Sequence, residues 1–387
     1  MTLSEPAARA RLGWLSAHSS AFEGLLAELV RQQSPSDDED RLVAMAELVV
    51  ARSREFLRPD RLETVPDLGR PAVRVTVGKG DGRGVLLLAH LDTVWDVDAF
   101  SPLYAVEGGL ARGPGVFDMK GGVVIGLAAL AALREHGWSG PEVTLLLTTD
   151  EEVGSAASRA LIEFEAKRHQ AVLVLEPPVA GAVKIARKGV GTYQVEVTGL
   201  AAHAGLEPEK GVNAVVEMAG LIPRICAMAR PDIGTTVTPT VISGGGRTNV
   251  VPASAKLSCD VRFSTIAESA RLEQEMHGLR PVDPRAEVVI SGGSNRPPLE
   301  ASASERLFVL ARQVAELLGL PELQGAEVGG GSDGNFTAAL GVPTLDGLGI
   351  VGGNAHAPGE WADLASIAPR AALLAGVIEA LSAGALQ

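Results

Sequence analysis

Two histidines, His90 and His356, stand near carboxylates in ways that could bind a metal or move protons. His90-Leu91-Asp92 ends an unbroken apolar run, Val85 to Ala89. If that run is a strand, His90 and Asp92 point to the same side, and the aspartate can accept the imidazole N–H as an outer partner. An ordinary hydrogen-bonded pair is the plain alternative for these two alone. Asp118 lies in Gly-Pro-Gly-Val-Phe-Asp-Met-Lys-Gly-Gly, a turn leading into a helix, where it could bridge two metals or simply cap the helix. Glu151 and Glu152 follow a second apolar run; one could bind metal while its neighbour takes a proton from water. They could also be a solvated acidic turn. Glu176 follows a third run, and a carboxylate there needs a partner, which a salt bridge to Lys184 or Lys188 would also supply. His356 comes late, in Asn-Ala-His-Ala-Pro-Gly-Glu. His90, Asp118, Glu152, Glu176 and His356 together make a nitrogen and oxygen donor set suited to zinc, enough for two ions about 3.5 Å apart.

The elements that must position these groups are legible as periodicities. Residues 8–31 carry apolar positions at helical spacing, and Ser34-Pro35-Ser36-Asp37 forms a turn and cap before a second helix through Phe56. Residues 85–89, 143–149 and 171–175 are apolar without alternation, the pattern of strands covered on both faces in a parallel sheet. Their polar groups collect at the carboxyl ends, where open α/β sheets carry their sites. Residues 120–136 supply a helical crossover. From Gly189 the style changes: alternating runs at 193–197, 235–242, 256–263 and 286–290 with helical runs at 212–229 and 267–279 give the order β-α-β-β-α-β of a small antiparallel sheet with two helices. Helical periodicity returns after Pro297-Pro298 and again from Ile367. The expectation is an α/β fold with a mixed, mostly parallel sheet flanked by helices, in a domain of residues 1–188 and 298–387, interrupted by an α+β ferredoxin-like domain of residues 189–297.

Composition narrows the function. The 387 residues are 46% hydrophobic and 21% charged, with 45 glycines, which suits a globular, turn-rich chain of two domains. Net charge is −13 and no basic block is present, so nucleic acid is not expected as a partner. Cys226 and Cys259 have no CxxC partner and read as buried apolar residues. There is no signal-like apolar segment and no apolar run of 18 residues, so a soluble cytoplasmic protein with no membrane partner is expected.

His-Leu-Asp-Thr-Val, Gly-x-Gly-x-x-Asp-Met-Lys-Gly-Gly, Asp-Glu-Glu-x-Gly and Glu-Pro, in this order, resemble the M20 metallopeptidase family, which includes glutamate carboxypeptidase, acetylornithine deacetylase, succinyl-diaminopimelate desuccinylase and aminoacylase. The likeness runs from about Leu86 to the C-terminus, and the motifs around Ser332 and His356 are most like the glutamate carboxypeptidase branch. The resemblance implies a dizinc exopeptidase fold and two Zn2+, with Co2+ or Mn2+ as substitutes: His90 and Glu176 on one ion, Glu152 and His356 on the other, Asp118 bridging. It implies Glu151 as general base and Asp92 orienting His90. It further implies a lid and dimerisation role for the inserted domain, with His203 reaching the partner subunit's site to stabilise an oxyanion in a homodimer. Asn249 and Arg262 match positions that contact the substrate; Lys184, Arg296 and Gly331 are weaker candidates, and surface charge is the alternative for the two cations. The implied reaction is hydrolysis of an amide in a peptide or N-acyl amino acid with a free carboxylate, with N-acyl amino acid deacylation as the alternative within the family.

Two readings from other classes compete. Gly330-Gly331-Ser332-Asp333-Gly334 fits a nucleophile elbow, and Ser332, Asp346 and His356 run in serine-hydrolase order, although 13 residues between Ser332 and Asp346 leave little room for the usual intervening elements. A non-catalytic binding protein would keep the fold and dispense with Glu151. The same glycines also match G-x-G-x-x-G, without a convincing βαβ unit around them.

Overall fold

The computed structural model describes residues 4–65 and 69–385. Contacts divide the chain into two compact units, one of residues 1–186, 301–327 and 332–387, the other of residues 187–300 and 328–331. The second unit is a little larger than the 189–297 span because Arg187 and Leu299 pair through both backbone hydrogen bonds, and Lys188 N–H donates to Val328 O.

The first unit is built on a six-stranded sheet, ordered Arg61–Val65, Ala72–Val77, Pro141–Thr148, Gly80–His90, Ala171–Val174, Thr344–Leu345. The first two pairings are antiparallel and the remaining three parallel, so the apolar runs lie side by side in the middle. Leu86, Leu87, Leu145, Leu147, Val172 and Leu173 are fully buried, as residues covered on both faces must be. Helices Gly121–Glu135 and Ile367–Ser382 supply much of the core on one face, each apolar nearly all round. The stretches Val116–Glu135 and Leu364–Ser382 are long and apolar enough to cross a membrane by length and mean composition, but charged residues interrupt both, and 94% and 78% of their apolar windows are buried inside the protein. Core helices of a large domain satisfy the same pattern.

The helical periodicity over residues 8–31 resolves into two helices, Glu5–Ala17 and Ser19–Arg31, broken at His18. His18 leaves helical geometry (φ −107°, ψ 12°) and stacks on Trp14 at 4.2 Å between ring centroids. The cap of helix Glu39–Leu57 is Asp38, whose carboxylate accepts from Arg41 N–H, one residue beyond the turn read from sequence. A further small sheet had no clear sequence signal because its strands are two or three residues long: Ala105–Glu107, Leu110–Arg112, Trp361–Asp363 and Gly352–Gly353. Its pairing of Trp361 with Arg112 brings the turn that carries His356 beside the loop that carries Asp118.

In the second unit the strands are ordered Thr236–Gly244, Ser254–Phe263, Gly189–Thr198, Glu287–Arg296, all antiparallel. With helices Ala214–Cys226 and Ile266–His277 this is the split βαβ arrangement read from the sequence. Tyr193, Val195, Val197, Leu257, Cys259 and Val261 face the helices and form a core of their own. Cys259 belongs to it, but Cys226 is exposed at the end of its helix, which corrects the expectation that both are buried.

Candidate metal centre

His90 ends one of three adjacent parallel strands in the first unit, and Glu151 with Glu152 and Glu176 follow the carboxyl ends of the other two. The ends of parallel strands leave the next residues free to turn out of the ladder, so side chains from separate chain segments converge. His90 is buried at 1% exposure, and its Nδ1 lies 3.0 Å from Asp92 O and 3.4 Å from Asp92 Oδ1. An Nδ1–H donating there leaves the Nε2 lone pair pointing into the site. That Nε2 is 3.5 Å from Asp118 Oδ1 and 3.5 Å from Glu176 Oε1. His356 Nε2, on the opposite side, is 3.3 Å from Asp118 Oδ2 and 3.2 Å from Glu152 Oε2. Asp118 thus stands between the two imidazoles, one oxygen facing each. One donor atom each from His90, Asp118 and Glu152 lie within 4.8 Å of one another, and so do those of His90, Glu151 and Glu176.

These residues fit a divalent cation. His90 Nε2, Asp118 Oδ1 and Glu152 Oε1 are buried with no hydrogen-bond partner, an arrangement that costs free energy in a protein filled only with protein atoms. Tetrahedral ligands at zinc's bond lengths are about 3.4 Å apart, and the four separations from the two imidazoles to Asp118, Glu176 and Glu152 span 3.2 to 3.5 Å. The electrostatics of the cluster itself point the same way. Burial opposes charging of His90, but Asp118, Asp92 and Glu176 outweigh it and hold its pKa well above the usual imidazole range. Hydrogen bonding to Asp118 and Glu152 lifts His356 to about 10. Burial pushes Glu152 up, while for Asp118 the burial penalty is overcome by His356 and His90, which hold it well below the carboxylate range. Without a cation the cluster must recruit protons to balance its carboxylates.

Asp92 has a wider task than its motif suggests. Its carboxylate accepts from Glu151 N–H at 3.3 Å, Glu152 N–H at 3.2 Å and Ser36 Oγ at 2.8 Å, so it fixes the turn carrying both glutamates as well as His90. Lys184 is buried, 3.9 Å from Glu176 Oε2, and Arg296 is buried as well, so the surface-charge alternative is wrong for both. Gly331 packs on Arg296, whose Cδ would stand 2.9 Å from an added Cβ.

The remaining candidates lie in the second unit. His203 is exposed, and its Nδ1 accepts from Gly205 N–H and Leu206 N–H, both at 3.1 Å, which fixes the proton on Nε2 and makes it a donor. Ala204 N–H donates to Asn249 O at 3.0 Å, so His203 and Asn249 share one loop region. Arg262 grips Asp260 with two parallel bonds of 2.9 and 2.8 Å.

The serine arrangement does not form. Ser332 is fully buried and donates to Asp346 Oδ2 at 2.6 Å, while the His356 ring nitrogen faces Asp118 and Glu152. A serine nucleophile needs the imidazole where the carboxylate stands. Sequence reasoning passed over Glu360, which is fully buried and bonded to the Asp118 loop, and Lys120, buried with its ammonium on Gln32 O at 3.0 Å. The signal available for Glu360 was its place four residues after His356.

The sequence profile of Peptidase family M20/M25/M40 matches residues 86–380. Carboxypeptidase G2 of a Pseudomonas species is 35% identical over 324 residues, 80% of this chain and 77% of that protein. Succinyl-diaminopimelate desuccinylase of a Nitratiruptor species is 29% identical over 302 residues, 73% of this chain and 80% of that protein. Among solved structures, aminopeptidase PepT of Bacillus cereus superposes with a TM-score of 0.77 at 21% identity, covering 94% of this chain and 98% of that one. The Bacillus subtilis YxeP protein, described as a dinuclear metal binding peptidase of the M20 family, gives 0.70 at 14% identity, covering 94% and 98%. The profile match across most of the chain and the identity to carboxypeptidase G2 establish that this chain belongs to the M20 peptidase family.

Proposed function

We propose that this chain is a dizinc hydrolase that cleaves the amide bond of a peptide or N-acyl amino acid bearing a free carboxylate, as its likeness to carboxypeptidase G2 suggests. The observation that carries the reading is the set of buried, partnerless donor atoms on His90, Asp118 and Glu152, facing Glu176 and His356 at ligand-to-ligand spacing. His90 and Glu176 would hold one ion and Glu152 and His356 the other, with Asp118 shared. Bound there, the cations supply Lewis-acid charge beside the scissile carbonyl and lower the pKa of a nearby water. Glu151 takes the proton from the attacking water as the C–O bond forms to give a tetrahedral oxyanion, and then returns it to the leaving nitrogen as the C–N bond breaks and the carboxylate is released. Asp92 keeps Glu151 aimed by binding its backbone N–H.

Residues 187–300 act as the lid and dimerisation domain, and the first unit as the catalytic one. The His203 Nε2–H is a ready donor for an oxyanion, and Asn249 beside it supplies a second polar group. In the first unit Lys184, buried beside Glu176, is a candidate anchor for the substrate carboxylate; in the second unit Arg296 and Arg262 are candidates, and Arg262 would first have to release Asp260. The assembly is a homodimer, supported by the edge strand Thr236–Gly244, where Val241 and Ile242 are 64% and 60% exposed, and by Val216 at 62% on the helix Ala214–Cys226. The unbridged thiols of Cys226 and Cys259 suit the reducing cytoplasm.

Removing divalent ions with a chelator should abolish hydrolysis of dipeptides and N-acyl amino acids, and zinc should restore it. Activity that survives chelation and labels Ser332 covalently would sink the proposal. Deacylation of an N-acyl amino acid is the second reading, favoured by the desuccinylase relatives. A turnover screen including γ-linked and folate-like glutamates beside N-acetyl and N-succinyl amino acids separates the two.

A further inference from the structure

Glu360 presents a problem that the catalytic roles leave open. It is a fully buried carboxylate, yet the site assigns it neither a cation to bind nor a proton to move. Its Oε1 accepts from Phe117 N–H at 2.8 Å and Asp118 N–H at 2.9 Å. Its Oε2 accepts from Gly115 N–H at 3.1 Å and from the Trp95 indole N–H at 2.6 Å. Four donors on one carboxylate offset part of its desolvation, and all four come from segments other than its own.

Those loops are the ones that carry the metal donors. Trp95 lies three residues beyond Asp92, the support of His90, Glu151 and Glu152. Gly115, Phe117 and Asp118 form the loop of the shared carboxylate. Glu360 itself ends the turn of His356, a turn with left-handed backbone at Asn354 (φ 62°) and His356 (φ 56°). That conformation is uncommon for residues with a Cβ and holds only when its surroundings fix it. The His356 side chain is half exposed and is held, among the described residues, only at its Nε2, by Asp118 and Glu152, so the backbone of the turn takes its restraint from Glu360.

We propose that Glu360 is a positioning residue that fastens the His356 turn to the Asp118 loop, so that the two cation positions form together and fill cooperatively. The inference rests on the metal reading above. Through the Asp118 N–H, Glu360 sets where that carboxylate stands relative to His90 on one side and His356 on the other. Glutamine at 360 keeps the size but turns an acceptor into an NH2 group facing N–H donors, so one end of the clamp must open.

The test is a Zn2+ titration of the full-length apo chain against a chromophoric chelator, with Co2+ absorption as a second readout. The wild type should take up two ions with positive cooperativity. Glu360→Gln should bind at least one of them ~10 to 100-fold more weakly, the loss typical when a ligand's support is removed. It should also lose the cooperativity and change the Co2+ spectrum, while far-UV circular dichroism stays that of the wild type. Two ions bound by Glu360→Gln with wild-type affinity and cooperativity would overturn the proposal. Should that variant not fold, Trp95→Phe decides: it removes one of the four bonds from a half-buried site, so weaker, less cooperative zinc binding supports the clamp and unchanged binding refutes it. A wild type that binds no divalent ion would instead refute the metal reading itself, so the two failures are distinguishable.

Discussion

At the scale of single residues, the site is organised by carboxylates whose neighbours decide their work. Glu151 and Glu152 are adjacent and their N–H groups are held by the same aspartate, yet only Glu152 lies against His356. Glu151→Gln keeps the shape and the backbone bond while removing the proton acceptor. It should lower turnover by ~10²- to 10⁴-fold, the range for loss of a general base, and leave zinc stoichiometry unchanged. Steady-state rates beside metal analysis of the same preparation check this, and wild-type turnover would exclude Glu151 as the base. Asp92→Ala removes support from His90 and from the turn of both glutamates at once. Zinc affinity should fall by ~10 to 100-fold, and turnover should fall further than affinity because Glu151 loses its aim as well. Competition with a chelator reads the first effect and rates at saturating zinc read the second; equal losses would mean that Asp92 serves the metal alone.

At the scale of elements, the central strands were plain in the sequence because burial on both faces leaves uninterrupted apolar runs, and the polar residue ending each run marked the site. His90, Glu151, Glu152 and Glu176 were legible for that reason, and Asp118 by the glycine-rich turn that sets it before a helix. The break at His18 was hidden, since both helices turn their apolar faces the same way and the periodicity continues across it. The strands of the Arg112–Trp361 sheet are too short to show a period, so the meeting of the Asp118 and His356 loops has no trace in the sequence pattern. Glu360 was masked by the same motif that displayed His356. Close packing between elements is equally silent in sequence, and Gly349 shows it. A Cβ there would stand 2.3 Å from Leu175 O and 2.8 Å from Glu176 O, both backbone atoms, at the strand end that delivers Glu176. Gly349→Ala should therefore cost about 1–3 kcal/mol by overpacking and weaken zinc binding as Glu176 shifts. Gly24, inside helix Ser19–Arg31 with nothing within 4 Å of an added Cβ, is the control. Gly24→Ala should stabilise by up to about 1 kcal/mol and leave zinc affinity alone. Thermal melts and metal titrations of the pair give the comparison, and matching behaviour would discard the packing argument.

At the scale of the whole molecule, two units with separate cores should answer separately to two perturbations. Every proposed metal donor belongs to the first unit, so zinc at about 100 times its dissociation constant should stabilise that unit by about 2.7 kcal/mol per ion and leave the other where it was. The second unit carries its own titrating device. Glu268 is buried and accepts from Arg271 at 2.6 Å, Thr235 at 2.9 Å and Arg230 at 3.1 Å, and the hydrogen bonds from Arg271 lead in lowering its pKa to about 2. A carboxylate whose folded pKa lies below its unfolded value stabilises the fold above the unfolded pKa, here 4.5, and loses that contribution as pH falls toward about 2. The contribution at neutral pH is about 2 kcal/mol, less than the full shift because Arg230 is half exposed and screened. Calorimetry should thus resolve two transitions: one rising with zinc, the other falling between pH 4.5 and 2. Glu268→Gln should lower the second transition at pH 7 and remove most of its acid sensitivity, without touching the zinc-dependent one. A single transition that moves with both zinc and Glu268 would mean that the two cores unfold as one.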